Sequence, residues 1–172
     1  DGPATLNISG GTANILGINM GYGGRTNPST ISLTGGRLNI GSAGIITGGT
    51  SNKSINLGGG TLGALANWSS SLPMTLTGIN GNTTINTSDP ANPSVGYIVT
   101  LSGVLSGDGG LVKTGAGILQ LNAYNTFTGG TVVEAGTLLL TAGGANGTLT
   151  GELTVNAGAT VNYTASNAFG WN

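Results

Sequence analysis

Histidine and cysteine are both absent from these 172 residues. Without histidine there is no side chain that titrates near neutral pH when unperturbed, and no imidazole base for a serine or threonine nucleophile. Without cysteine there is no disulfide, thiolate nucleophile or thiolate zinc site; the absence also fits a chain exported unfolded, which crosslinks would obstruct. Charge is scarce too, at 5% of residues, against about a quarter in an ordinary soluble domain. Asp1, Asp89, Asp108, Glu134 and Glu152 face only Arg25, Arg37, Lys53 and Lys113. Four scattered cations make no basic stripe, which sets nucleic acid aside as a partner. The longest purely aliphatic run, Leu138-Leu139-Leu140, is far short of the roughly 18 apolar residues of a membrane-spanning helix. No basic and then apolar leader opens the chain. Strand-like pattern begins within three residues of Asp1, and no charge cluster closes the chain at Asn172. Both ends therefore read as cuts in a longer polypeptide.

What the sequence has instead is glycine, 35 of 172 residues, with a hydrophobic fraction of 37% that is mainly aliphatic. The mean hydropathy is positive, so disorder driven by charge is excluded and the chain is expected to fold. Helix is disfavoured by that much glycine.

The glycines punctuate a repeat. Aligning Gly10-Gly11, Gly35-Gly36 and Gly59-Gly60 superposes Leu6-Asn7-Ile8-Ser9 with Ile31-Ser32-Leu33-Thr34 and Ile55-Asn56-Leu57-Gly58 before the pair, and Thr12-Ala13-Asn14-Ile15 with Arg37-Leu38-Asn39-Ile40 and Thr61-Leu62-Gly63-Ala64 after it. The pairs fall 25 and 24 residues apart, and apolar residues take the same slots each time. Alternation marks strands with one buried face, and Gly-Gly supplies the corner between them. A hairpin meander would instead reverse at Asn-Gly or Asp-Gly turns every ten residues or so. A unit recurring with the same slots apolar reads as a parallel β-solenoid, each repeat one coil and equivalent slots stacked. Met74 and Leu76 before Gly78, Val99 and Leu101 before Gly103, Val133 before Ala135-Gly136 and Leu153 and Val155 before Ala157-Gly158 follow the rule less regularly. At ~24 residues per coil and ~4.8 Å per stacked strand, the chain makes roughly seven coils and a rod of roughly 34 Å. One segment over 1–172 is expected, its interior made by Leu6, Ile8, Ile15, Ile31, Leu33, Leu38, Ile40, Ile55, Leu57, Leu62, Leu119, Leu121, Val133, Leu138, Leu140, Leu153 and Val155. Trp68 to Pro73, Asp89 to Val95 and Tyr124 to Gly130 break the pattern and read as corner loops widened outward, with proline tolerated at the bends.

The stretch Gly107-Asp108-Gly109-Gly110-Leu111-Val112-Lys113-Thr114-Gly115-Ala116-Gly117-Ile118-Leu119-Gln120-Leu121, continued by Asn125-Thr126-Phe127-Thr128-Gly129-Gly130-Thr131 and by Gly136-Thr137-Leu138-Leu139-Leu140, closely resembles the autotransporter-associated β-strand repeat, also called the passenger-associated transport repeat. The best-matched part lies within 101–143. Phe127 stands where the family usually has Tyr, and Ile118 where it usually has Thr. The resemblance implies a right-handed parallel β-helix in the passenger region of an exported bacterial protein, displayed at the cell surface or extracellular. The translocator barrel that the family usually carries across the outer membrane has no counterpart after Gly136, where no set of ~10-residue amphipathic strands follows.

Rival chemistries find little support. Glycoside hydrolysis needs two carboxylates about 5 to 10 Å apart. Stacking would bring together only acids about one coil apart, such as Asp89 with Asp108 or Glu134 with Glu152. Gly115-Ala116-Gly117 begins like a dinucleotide fingerprint, but Gln120 replaces the third glycine and no helix follows. Gly107-Asp108-Gly109-Gly110 hints at a calcium-binding repeat, yet a single Asp supplies too few ligands. Lys113 reads as a solvated outward residue, or as a charge that keeps an edge from pairing. Tyr22, Trp68, Tyr97, Tyr124, Tyr163 and Trp171 share no register, so isolated corner aromatics are expected rather than a sugar platform. Thr75-Leu76-Thr77 and Thr148-Leu149-Thr150 have the form of ice-binding ladders, but neighbouring coils do not repeat it.

The expectation is a noncatalytic, adhesin-like stalk or display rod with no catalytic, cofactor or metal residues. Its alternatives are a subunit of a self-assembling extracellular filament and a carbohydrate-active β-helix. Expected partners are other surface proteins or glycans at the corner loops, further coils of the parent chain, or copies stacked end to end. No membrane insertion by this segment is expected.

Overall fold

Alternating aliphatic residues need a shared interior, and parallel stacking of coils provides one. The computed structural model describes residues 2–22, 27–49, 52–142 and 149–164, except for the side chain of Tyr22. Among the described residues, seventeen strands form three sheets. The first contains β1 (Ala4–Ile8), β3 (Ser29–Leu33), β5 (Lys53–Leu57), β8 (Met74–Leu76) and β11 (Leu105–Ser106), stacked in that order. The second stacks seven: β2 (Thr12–Tyr22), β4 (Arg37–Gly48), β6 (Thr61–Ala64), β9 (Thr83–Asn86), β12 (Leu111–Thr114), β14 (Thr131–Val133) and β16 (Leu153–Val155). The third stacks β7 (Trp68–Ser70), β10 (Ile98–Leu101), β13 (Ile118–Leu121), β15 (Thr137–Leu140) and β17 (Thr160–Tyr163). Every pairing between these strands is parallel. The chain is an all-β parallel β-solenoid.

The glycine-pair repeat is the coil. Ile8 sits on Leu33, Leu33 on Leu57 and Leu57 on Leu76. Along the second sheet Ala13, Leu38, Leu62, Ile85, Lys113 and Val133 form one column. Along the third, Trp68, Val99, Leu119 and Leu138 form another. Burying each such Leu or Ile is worth roughly 1.5–3 kcal/mol, so stacking supplies most of the stability. The corner is as specific as the column. Gly36 has φ +65°, and a Cβ there would lie 2.6 Å from Gly11 O of the coil beneath, so glycine is required on conformation and on space.

The regular period holds for the first coils and then drifts. Thr12 pairs with Arg37 and Arg37 with Thr61, steps of 25 and 24 residues, but Leu111 pairs with Thr131, a step of 20, and Met74 with Leu105, a step of 31. The solenoid makes about six turns rather than seven: the second sheet steps six times between β2 and β16. A bulge explains the length of β4: Ile15 pairs with Ile40 but Gly17 with Gly44, so β4 carries two extra residues as it turns the corner.

Most of the expected interior is buried. Leu6, Ile15 and Leu153 are only half-buried, and Val155 is 45% exposed. All four lie in the first or last described coil, where no described strand covers the interior on one side. Two of the supposed outward loops turn side chains into the interior instead. Trp68 begins β7 and faces inward against Val99, with Leu72 also buried. Phe127 is fully buried, and the irregular segment around it bonds to the coil of β11: Thr126 N and Thr128 N donate to Leu105 O and Gly107 O at 2.8 and 2.9 Å. Asp89 to Val95, by contrast, is an outward loop, as expected.

Candidate functional site

A polar cluster lies where β9, β12 and β14 turn toward the third sheet, and at its centre is Lys113. Its slot between Leu111 and the Gly115 corner faces inward by strand alternation, so it lies between Ile85 and Val133 with no exposed surface. This overturns the solvated reading. A buried ammonium needs all of its hydrogen bonds, and Nζ donates three: to Thr114 O at 2.9 Å, Gly115 O at 2.8 Å and Ala135 O at 2.8 Å. Burial pushes Lys113 down from its ordinary 10.5 to about 8, while bonds to the charged form oppose that fall. At neutral pH it is a cation.

Neighbouring coils close around it. Thr87 N donates to Thr114 O, and Thr87 Oγ1 reaches the same oxygen at 3.2 Å. Ser88 Oγ accepts from Ala116 N at 2.7 Å and donates to Pro93 O at 2.8 Å, tying the corner to the Asp89–Val95 loop. Gly136, with φ +69°, passes so near that a Cβ would lie 2.9 Å from Lys113 Nζ.

The loop carries its own lock. Asp89 Oδ1 accepts from Ala91 N at 2.7 Å and Asn92 N at 3.1 Å, and Oδ2 accepts from the Tyr97 hydroxyl at 2.7 Å. The Tyr97 bond first, and then the two amides, hold Asp89 below the usual carboxylate range; Asp89 in turn raises Tyr97. Residues 90–96 remain exposed.

Chemically, the corner orders backbone. A Lys113 ammonium with three bonded protons and no solvent access has neither lone pair nor substrate path, so it serves neither as nucleophile nor as base. The acids do not gather. Asp89 follows β9 and Asp108 precedes β12, so they lie at opposite ends of these two neighbouring strands. Glu152 O accepts from Thr131 N and Glu134 N donates to Lys113 O, so Glu134 lies four residues along the strand from the level of Gly130 and Glu152. At ~3.3 Å per residue that is about 13 Å, too far for a carboxylate pair. Among the described residues no three Asp or Glu side chains could share a metal ion. Asp1 and Arg25 lie outside the described residues.

Nor do the described aromatics form a platform: Trp68 is inside, Tyr97 is bound to Asp89, Tyr124 is exposed past the end of β13, and Tyr163 is exposed at the end of β17. The Tyr22 side chain and Trp171 lie outside the described part. Thr75 pairs with Asn56 and Ser106, so no threonine row is built around it; Thr148 is not described.

Comparison with known proteins agrees with this architecture. Residues 111–140 match the profile of the Passenger-associated-transport-repeat family, which spans β12 to β15 and includes Lys113 and Gly136. Over 89 residues, 51% of the chain, it is 37% identical to the Adhesin BmaC autotransporter of Brucella suis biovar 1 (strain 1330). Over 36 residues, 21% of the chain, it is 53% identical to the Neisserial autotransporter lipoprotein NalP of Neisseria meningitidis serogroup B (strain ATCC BAA-335 / MC58). The chain spans 3% of the length of each of these relatives. No solved structure matches it. These likenesses are to autotransporter proteins and indicate, at a coarse level, a surface-exposed or secreted bacterial protein.

Proposed function

We propose that the chain is a noncatalytic stalk, a rigid section of an adhesin-like passenger that holds more distal regions away from the cell. The observation that carries this reading is the stack of aliphatic columns through all three sheets, each coil hydrogen-bonded to the next. Such a stack resists bending because any kink opens several ladders at once. The likeness to an adhesin supports the same reading. The exposed loop 89–96, locked at its base, is the place for contacts with surface proteins or glycans. The partly uncovered interior at Leu6 and Val155 suits further coils of the parent chain, and end-to-end copies would cover the same slots.

The test is to incubate the purified chain with a polysaccharide panel and to image it by electron microscopy. Straight rods with no product release support the stalk. Product release abolished by Asp89→Asn or Asp108→Asn would replace it with a carbohydrate-active enzyme.

A further inference from the structure

Three backbone carbonyls converge on the Lys113 nitrogen from two different coils. Thr114 O and Gly115 O belong to the corner after β12, and Ala135 O to the corner after β14. Gly115, at φ +82°, and Gly136, at φ +69°, set the peptide planes that turn Thr114 O and Ala135 O inward. Thr114 O is also met by Thr87 N and Oγ1, but an inward-facing Ala135 O without water is costly unless a donor meets it. The equivalent slots one coil before and after hold Ile85 and Val133, which donate nothing, so the convergence belongs to this corner alone among its neighbours in the column.

We propose that this corner is a binding site for a primary ammonium group, filled in cis by Lys113, and that its occupancy locks the corner after β12 to the corner after β14. The chemistry is selective. A primary ammonium offers three N–H donors around one centre, matching three carbonyls; a quaternary ammonium offers none, and a guanidinium presents a flat fork. The aliphatic stem meanwhile fills the column between Ile85 and Val133, so the three donors and the stem are both recognised.

Lys113→Ala empties the site of three carbons and a nitrogen, the atoms of n-propylammonium. The variant is refolded with increasing n-propylammonium, and its thermal midpoint is followed. The expected result is a saturable rise, absent with n-propanol or tetramethylammonium at the same concentration, and absent in the native chain. No rise, or an equal rise with n-propanol, overturns the ammonium site. Should Lys113→Ala fail to fold under every condition, Lys113→Met decides the matter, because it keeps the column filled without charge. Amide exchange at Thr87 and Thr137, which bond Thr114 O and Gly117 O, is then expected to accelerate at least tenfold. Thr34 and Gly58, which bond Ile8 O and Leu33 O in the first sheet, are expected to be unchanged. Unaltered exchange at Thr87 and Thr137 overturns the lock.

Discussion

Raising the pH above 8 should stabilise this protein, contrary to the usual effect of alkali, and Lys113 is the reason. Unfolded, the lysine keeps its proton up to its ordinary 10.5; folded, burial lets it go at about 8. Between those values the unfolded chain binds more protons, so unfolding becomes harder as the pH rises. Below pH 8 both states are protonated and the effect is flat. The gap of about 2.5 pH units corresponds to about 3 kcal/mol at ~1.36 kcal/mol per unit, reached by pH 10.5. For a chain of this size that is roughly 6–12 °C in thermal midpoint. Tyr97 works the other way above pH 10, because its raised phenol holds its proton longer in the folded state. The clean window is therefore pH 8 to 10. Thermal unfolding at half-unit steps, followed by circular dichroism, reads the slope, and Lys113→Met should remove it. A midpoint that falls across the window, or a rise that survives Lys113→Met, would refute the assignment.

Gly136→Ala forces a left-handed residue against Gly117 O and Lys113 Nζ; urea unfolding should show a loss of about 2–4 kcal/mol. Leu33→Ala, midway in the column between Ile8 and Leu57, should cost about 3–5 kcal/mol, whereas Val155→Ala in the last described coil should cost less than about 1 kcal/mol. Asp89→Asn removes the carboxylate whose hydrogen bond, and then charge, raises Tyr97; the phenol absorbance should then titrate at lower pH, and limited proteolysis should cut faster within 89–96.

The regular coils were the most legible part, because three features coincide there: glycine pairs at corners, period-two aliphatics and equal spacing. Ile8, Leu33 and Leu57 fall in one column as their spacing requires. Legibility failed where an interior slot holds an unexpected residue. Lys113 shares strand parity with Leu111, which was sufficient to place it inside, but a cation is assigned to solvent unless its partners are known, and those partners are backbone oxygens from two corners. Phe127 shares parity with the buried Asn125 in the same way. Trp68 starts a strand of three residues, too short for alternation to register beside Pro73. The pairing of acids failed for another reason: separation by one coil length matters only when both residues occupy the same position within the coil, and corner lengths here vary.

The stacking of coils is tested most directly by one distance. Asn7, Ser32, Asn56, Thr75 and Ser106 form an outward column on the first sheet, four steps from end to end. At ~4.8 Å per step the backbones of Asn7 and Ser106 lie about 19 Å apart. The chain has no cysteine, so Asn7→Cys with Ser106→Cys accepts two spin labels and no others. Pulsed electron paramagnetic resonance should give a narrow distribution centred near 20 Å, whereas a broad distribution, or one centred beyond about 35 Å, would contradict the solenoid.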